Sequence, residues 1–186
     1  IPAIKGSMGG NTYYMFSIEP ETLLRIGFVL HRVKANAEDF PTYQRLLKTK
    51  RIKSLSEFIN GGGYFPNSVI LNFDTKGLKN SRKLEWEDAG QRDDSLSDHG
   101  ILKIPNSFAI AYIIDGQHRV YGYSYADNSE LKFKQTIPVV AFENLSNERQ
   151  LEMFMEINEN QTAISRNLKE TLKEDIYWMS PKPNLR

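Results

Sequence analysis

Apolar and polar positions along this chain fall into blocks of two periods. The clearest block is Phe108–Ile114, a run of mostly β-branched and aromatic residues that predicts a buried strand. It halts at Asp115-Gly116. From Gln117 to Ala126 the spacing turns helical, with Val120, Tyr123 and Ser124 on one side and small Ala126 able to pack closely. Ser68–Phe73 and Thr136–Phe142 repeat the strand pattern, and Pro138 suits a strand start or an edge. Tyr13–Ile18 is a further strand candidate, behind a Gly-rich stretch over 1–12 that reads as loop. Helical spacing runs from Pro20 to about Lys34 through Leu23, Leu24, Ile26, Gly27 and Leu30, with Pro20 suited to the first helical position. After a break over 35–41 it resumes, with interruptions, from Thr42 to Asn60, and Gly61-Gly62-Gly63 stops it. Ser146 can cap a helix carrying Leu151, Phe154 and Met155, and Ser165 a last one carrying Leu168, Leu172 and Ile176. Between 74 and 100 the period is lost, which predicts an insertion loop with one short strand near Lys83–Trp86. Strands alternating with helices imply an α/β or α+β domain around a small mixed sheet with flanking helices. Phe108–Ile114 and Thr136–Phe142 are expected to be parallel neighbours joined by a right-handed crossover.

Composition narrows the function classes. With 186 residues and 40% hydrophobic content, the chain suits a single domain over 1–186 or a fragment of a longer protein. The formal net charge is +1, so any nucleic-acid surface must be a local patch. One candidate exists: Arg45, Lys48, Lys50, Arg51 and Lys53 crowd one helical segment. They read either as a solvated helix face or as contacts to phosphate, with Arg45, Lys50 and Arg51 the leading candidates. Cysteine is absent, which removes disulfides, thiolate metal sites and a Cys nucleophile, and fits a cytoplasmic location. His31, His99 and His118 are scattered, and the acidic residues of 74–100 lack a cation-loop spacing, so no metal site is predicted. There is no Walker A run, GxGxxG or nucleophile elbow. No apolar run approaches the length of a membrane span, so no membrane partner is expected.

Two segments could carry chemistry. Gln117, His118 and Arg119 crowd the first turn of a helix that follows a core strand. The amides there lack intrahelical partners, and Gly116 lets a ligand approach the backbone. That is a plausible anion site; the plainer reading is a capped turn whose Arg119 pairs with a carboxylate. The second segment is INENQ, where Asn158, Asn160 and Gln161 either end a helix or hydrogen-bond a ligand presented to the turn.

Asp115-Gly116-Gln117-His118-Arg119 resembles the signature of DGQHR-domain proteins, which include DndB, associated with DNA phosphorothioation, and DpdB of deazaguanine DNA modification. YQRLLKTKRIKSLSEFINGGGYFPNSVI and VVAFENLSNERQLEMFMEINENQTAISRNL resemble the same family in the same order, from about Tyr13 to Leu172. The family is similar to the ParB/sulfiredoxin group and to restriction proteins with a DGQQR variant, in which the turn binds nucleotide phosphate. The resemblance implies a ParB-like fold and a DNA-associated role in modification, restriction or phage defence, with other proteins of such systems as partners. It also implies NTP with Mg2+ as the ligand, and a weak NTPase activity. Arg119 would then neutralise phosphate, Gly116 and Gln117 would supply amides, Gln117 would orient water, His118 would relay a proton, and Asp115 would hold Mg2+ or lock the turn. Asn158 of the Phe154-Met155-Glu156-Ile157-Asn158 segment would lie beside the turn. The alternatives are a non-catalytic DNA-binding transcriptional regulator and a purely structural partner module.

Overall fold

The computed structural model describes residues 1–29, 49–76, 83–90, 97–127 and 130–161, without the side chains of 132, 133 and 159–161. Arg45, Lys48, His31 and the helix expected after Ser165 lie outside these residues. The chain forms two compact units, one of residues 1–29 and 47–144, the other of 30–46 and 145–186.

The first unit is built on an eight-stranded mixed sheet flanked by helices, in agreement with the expected α/β or α+β class. β1 (Pro2–Met8) and β2 (Asn11–Ile18) form a hairpin in which Met8 faces Asn11. The two loop residues, Gly9 and Gly10, have φ of +56° and +76°. Two left-handed residues in a two-residue loop match the twist of the flanking strands, and glycine supplies them without strain. A strand therefore replaces the loop expected over 1–12: glycine marks the turn, not the whole segment. Along β2, Tyr14, Phe16 and Ile18 are buried and alternate with Met15 and Ser17, which are exposed.

α1 (Pro20–Ile26) begins with Pro20 and buries Leu23 and Ile26. It stops well before Lys34, because Gly27 adopts an extended conformation and its N–H closes on the Leu23 carbonyl. Gly27 and Phe28 form β3, parallel to β7. α2 (Thr49–Asn60) buries Ile52, Ser56 and Ile59 and keeps Lys50, Arg51 and Lys53 in solvent. The three-glycine stop is confirmed by Gly61 N–H bonded to Glu57 O and Gly63 N–H to Phe58 O.

β4 (Val69–Phe73) lies inside the sheet, between β7 (Ala111–Asp115) and β8 (Ile137–Glu143). It runs antiparallel to β7 and parallel to β8. The expected side-by-side parallel pairing of Phe108–Ile114 with Thr136–Phe142 is thus incorrect. Val69, Leu71, Asn72 and Phe73 of β4 are buried, so the strand needs a neighbour at each edge, and it takes both. The strand at Phe108 also starts later than expected, since Phe108 is 79% exposed. β5 (Glu85–Asp88) and β6 (Asp98–Lys103) extend the sheet beyond β1, so part of the stretch expected as an insertion loop is sheet edge. α3 (Gln117–Ser124) and the single turn α4 (Leu131–Lys134) lie between β7 and β8 in sequence. Leu23, Ile26, Ile59, Val120 and Tyr123 of the helices share one core with Val69, Leu71, Ile113 and Val139 of the sheet. No helix among the described residues is long and apolar enough to cross a membrane.

Of the second unit, the described part is residues 145–161. α5 (Asn147–Gln161) is capped by Ser146, whose Oγ accepts from the Arg149 amide. Gln150, Leu151, Phe154 and Met155 are buried.

Candidate functional site

β7 delivers the chain to one rim of the sheet, where β4 and β8 begin. Asp115 ends β7, and Gly116 turns the chain with φ of +98°. Its carbonyl accepts from the Arg119 and Val120 amides and so opens α3. A Cβ at Gly116 would stand 3.0 Å from both Val69 Cγ2 and Arg119 Nη2. Conformation and crowding both call for glycine here.

The guanidinium of Arg119 closes the turn. Its Nη2 donates to Asp115 Oδ2 at 2.8 Å and to the Ser68 carbonyl at 3.2 Å, and its Nη1 donates to the Asn67 carbonyl. The pair is largely sheltered, with the Arg119 side chain 16% and the Asp115 side chain 21% exposed. Arg119 therefore pins the lead-in to β4 against the β7–α3 turn, using the charge-assisted bonds that a planar fork makes well. Of the plainer sequence reading, the pairing of Arg119 with a carboxylate is present, with Asp115 of the same motif as the carboxylate, whereas no side chain caps the start of α3.

Gln117 is 7% exposed, and its Oε1 has no hydrogen-bond partner among the described residues. His118 is half-buried. Asn158 lies in α5, where its Nδ2 donates to the Phe154 carbonyl one turn back, at 2.8 Å. Asn158, Asn160 and Gln161 belong to α5 up to the last described residue.

Arg119 also lines a cleft of about 360 Å³ with Tyr64, Phe65, Pro66, Tyr123 and the segment 135–138. Arg119 is the residue of the motif that borders this cleft. Tyr123 donates its OH to Gln135 Oε1 at 3.3 Å, and burial raises its pKa above the usual tyrosine value. Sequence reading did not single out Tyr64, Phe65 or Gln135 as site residues. The one visible signal was aromatic residues next to a proline just before a strand, which is as common in loops as in sites.

α2 supplies the charged surface. Lys50, Arg51 and Lys53 are exposed and make no ion pair among the described residues. No group of three or more His, Asp or Glu suited to a metal occurs among the described residues.

A mixed sheet whose strand β7 ends in a DGQHR turn closed by its own ion pair defines a protein of the DGQHR type. The chain belongs to the DndB family, described as DNA-sulfur modification-associated, whose model matches residues 1–174. No curated protein and no solved structure matches it.

Proposed function

We propose that this chain is a DNA-binding, non-catalytic component of a DNA sulfur-modification system, with α2 contacting the phosphate backbone. The observation that carries the reading is the set of exposed cations Lys50, Arg51 and Lys53 on α2, without ion-pair partners among the described residues, in a chain of a family associated with DNA sulfur modification. Contact with phosphate gives them a role. Arg45 belongs to the same basic run in the sequence and joins them in the proposal. Proteins that modify or restrict DNA, and those that defend against phage, are the partners this reading implies.

A second reading, NTP bound with Mg2+ and slowly hydrolysed at the DGQHR turn, has one specific observation on its side. Gln117 Oε1 is a buried acceptor without a donor among the described residues, the kind of atom that orients a water. Against it, Asp115 and Arg119, the groups proposed to meet metal and phosphate, are bonded to each other.

The test is duplex DNA binding by fluorescence anisotropy between about 50 and 200 mM salt, with NTP hydrolysis followed in parallel with Mg2+. Replacing Lys50 and Arg51 by Ala is expected to weaken binding and to flatten the plot of log K against log salt by about 0.9 for each phosphate these side chains neutralise. An unchanged slope removes α2 from the interface. Phosphate release that disappears in Gln117→Ala supports the second reading instead.

A further inference from the structure

We propose that the cleft beside Arg119 receives an unstacked nucleobase of single-stranded DNA while α2 holds the adjoining phosphates. The inference rests on the DNA-binding reading above and names the form of DNA that this surface takes.

The cleft has the chemistry of a base site. Its walls are aromatic and proline faces, Tyr64, Phe65, Tyr123, Pro66 and Pro138, and no carboxylate is among its lining residues. Every base has a π-face, so stacking on such walls tolerates any sequence. Tyr64 stands at 74% exposure, a cost in exposed apolar surface that no packing role explains. Hydrogen-bonding groups are present for a base edge. Gln135 is half-buried and spends its Oε1 on Tyr123, while its NH2 has no partner among the described residues. A volume of about 360 Å³ is at the low end of small-ligand clefts and suits one base with its sugar.

The cleft is also continuous with the cations. Arg51, Ser54 and Phe58 are exposed at i, i+3 and i+7, one stripe of α2. Phe58, 48% exposed, ends that stripe with its ring 5.2 Å from that of Phe65, a wall of the cleft. Gly63 makes the contact possible, because a Cβ there would fall 2.4 Å from the Phe58 ring. Arg51 and Phe58 are about 10 Å apart along the helix axis. A strand gripped at Arg51 therefore reaches the aromatic cleft within a few nucleotides. Duplex DNA keeps its bases stacked and cannot fill it.

The experiment compares binding of a short oligothymidylate, an abasic strand of equal length and a duplex to the whole chain and to Tyr64→Ala, Tyr64→Phe and Phe58→Ala. Tyr64→Ala is expected to weaken oligothymidylate binding roughly 5- to 150-fold, the effect of one stacked base. Tyr64→Phe should restore it, and duplex and abasic-strand affinities should not move. Equal affinity for the abasic strand and oligothymidylate overturns the inference, as does insensitivity to both Tyr64→Ala and Phe58→Ala. So does displacement of the oligonucleotide by free thymidine monophosphate at equal base concentration, which would mark the cleft as a free-nucleotide site. If duplex binding still depends on Lys50 and Arg51 in those cases, the DNA-binding reading survives alone. A chain that binds none of the three strands overturns both.

Discussion

Arg119 shows how one side chain can serve structure where a motif invites a chemical role. Three acceptors converge on it: one carboxylate and two backbone carbonyls from the lead-in to β4. Truncating it leaves Asp115 a poorly solvated, unpaired carboxylate and strands two carbonyls. Arg119→Ala is therefore expected to lower stability by about 2–4 kcal/mol, read from the urea midpoint. Arg119→Lys should recover only part of this, because a point ammonium cannot reproduce the fork. A cost below about 0.5 kcal/mol for the alanine variant, the level of an ordinary surface substitution, would show that the clamp is not structural. The sequence made some of this legible. Asp-Gly before a polar helix start announced the turn, and Gly116 sits where only glycine fits. It did not show which acceptors Arg119 meets, because Asn67 and Ser68 are brought there by sheet pairing from about fifty residues away.

At the scale of elements, the join between β2 and β8 carries a polar network whose protons matter. Tyr14 OH donates to Glu143 Oε2 at 3.4 Å, and Thr75 Oγ1 donates to Glu143 Oε1 at 2.8 Å. Burial first, then the Glu143 charge and the hydrogen bond to it, push the Tyr14 pKa up to about 12 from 10.0. The folded state thus holds a proton that the unfolded chain releases at lower pH. This stabilisation is complete below about pH 10 and is lost as pH rises towards 12. Tyr14→Phe is expected to reduce the alkaline fall in stability between these values, followed by urea unfolding at stepped pH. Tyr121 and Tyr123, also raised by burial, leave a remainder. An identical alkaline profile in Tyr14→Phe would mean that Tyr14 does not titrate differently on folding. Helix starts and core strands were readable because each shows its period over several residues. β1 and β6 were not, since Gly6 and Gly100 occupy positions where an apolar residue would have completed the alternation. Both lie under aromatic rings: a Cβ would meet Tyr13 at 2.7 Å and Trp86 at 2.6 Å. The packing that replaces the missing side chain comes from the neighbouring strand and is invisible along the chain.

For the whole molecule, the order of the strands was the least legible feature. β7, β4 and β8 are each apolar enough to be central, and nothing local says that β4 lies between the other two. That order matters to the site, because it brings the starts of β4 and β8 to the rim where β7 ends, and the cleft forms there from 64–66 and 135–138. Charge is a whole-molecule property too, and here it separates two accounts of DNA affinity. With a net charge of +1, general attraction to a polyanion is weak, so affinity must come from where cations lie. Two charge reversals of equal size can tell placement from total. Lys50→Glu with Arg51→Glu alters α2, whereas Lys76→Glu with Lys83→Glu makes the same change at exposed positions outside it. The first pair is expected to abolish measurable binding at about 100 mM salt. The second should leave affinity within about threefold, since exposed charges beyond a Debye length of about 10 Å are largely screened. Anisotropy titrations of both variants against one labelled strand decide it: equal losses would assign the affinity to total charge and leave α2 no special part.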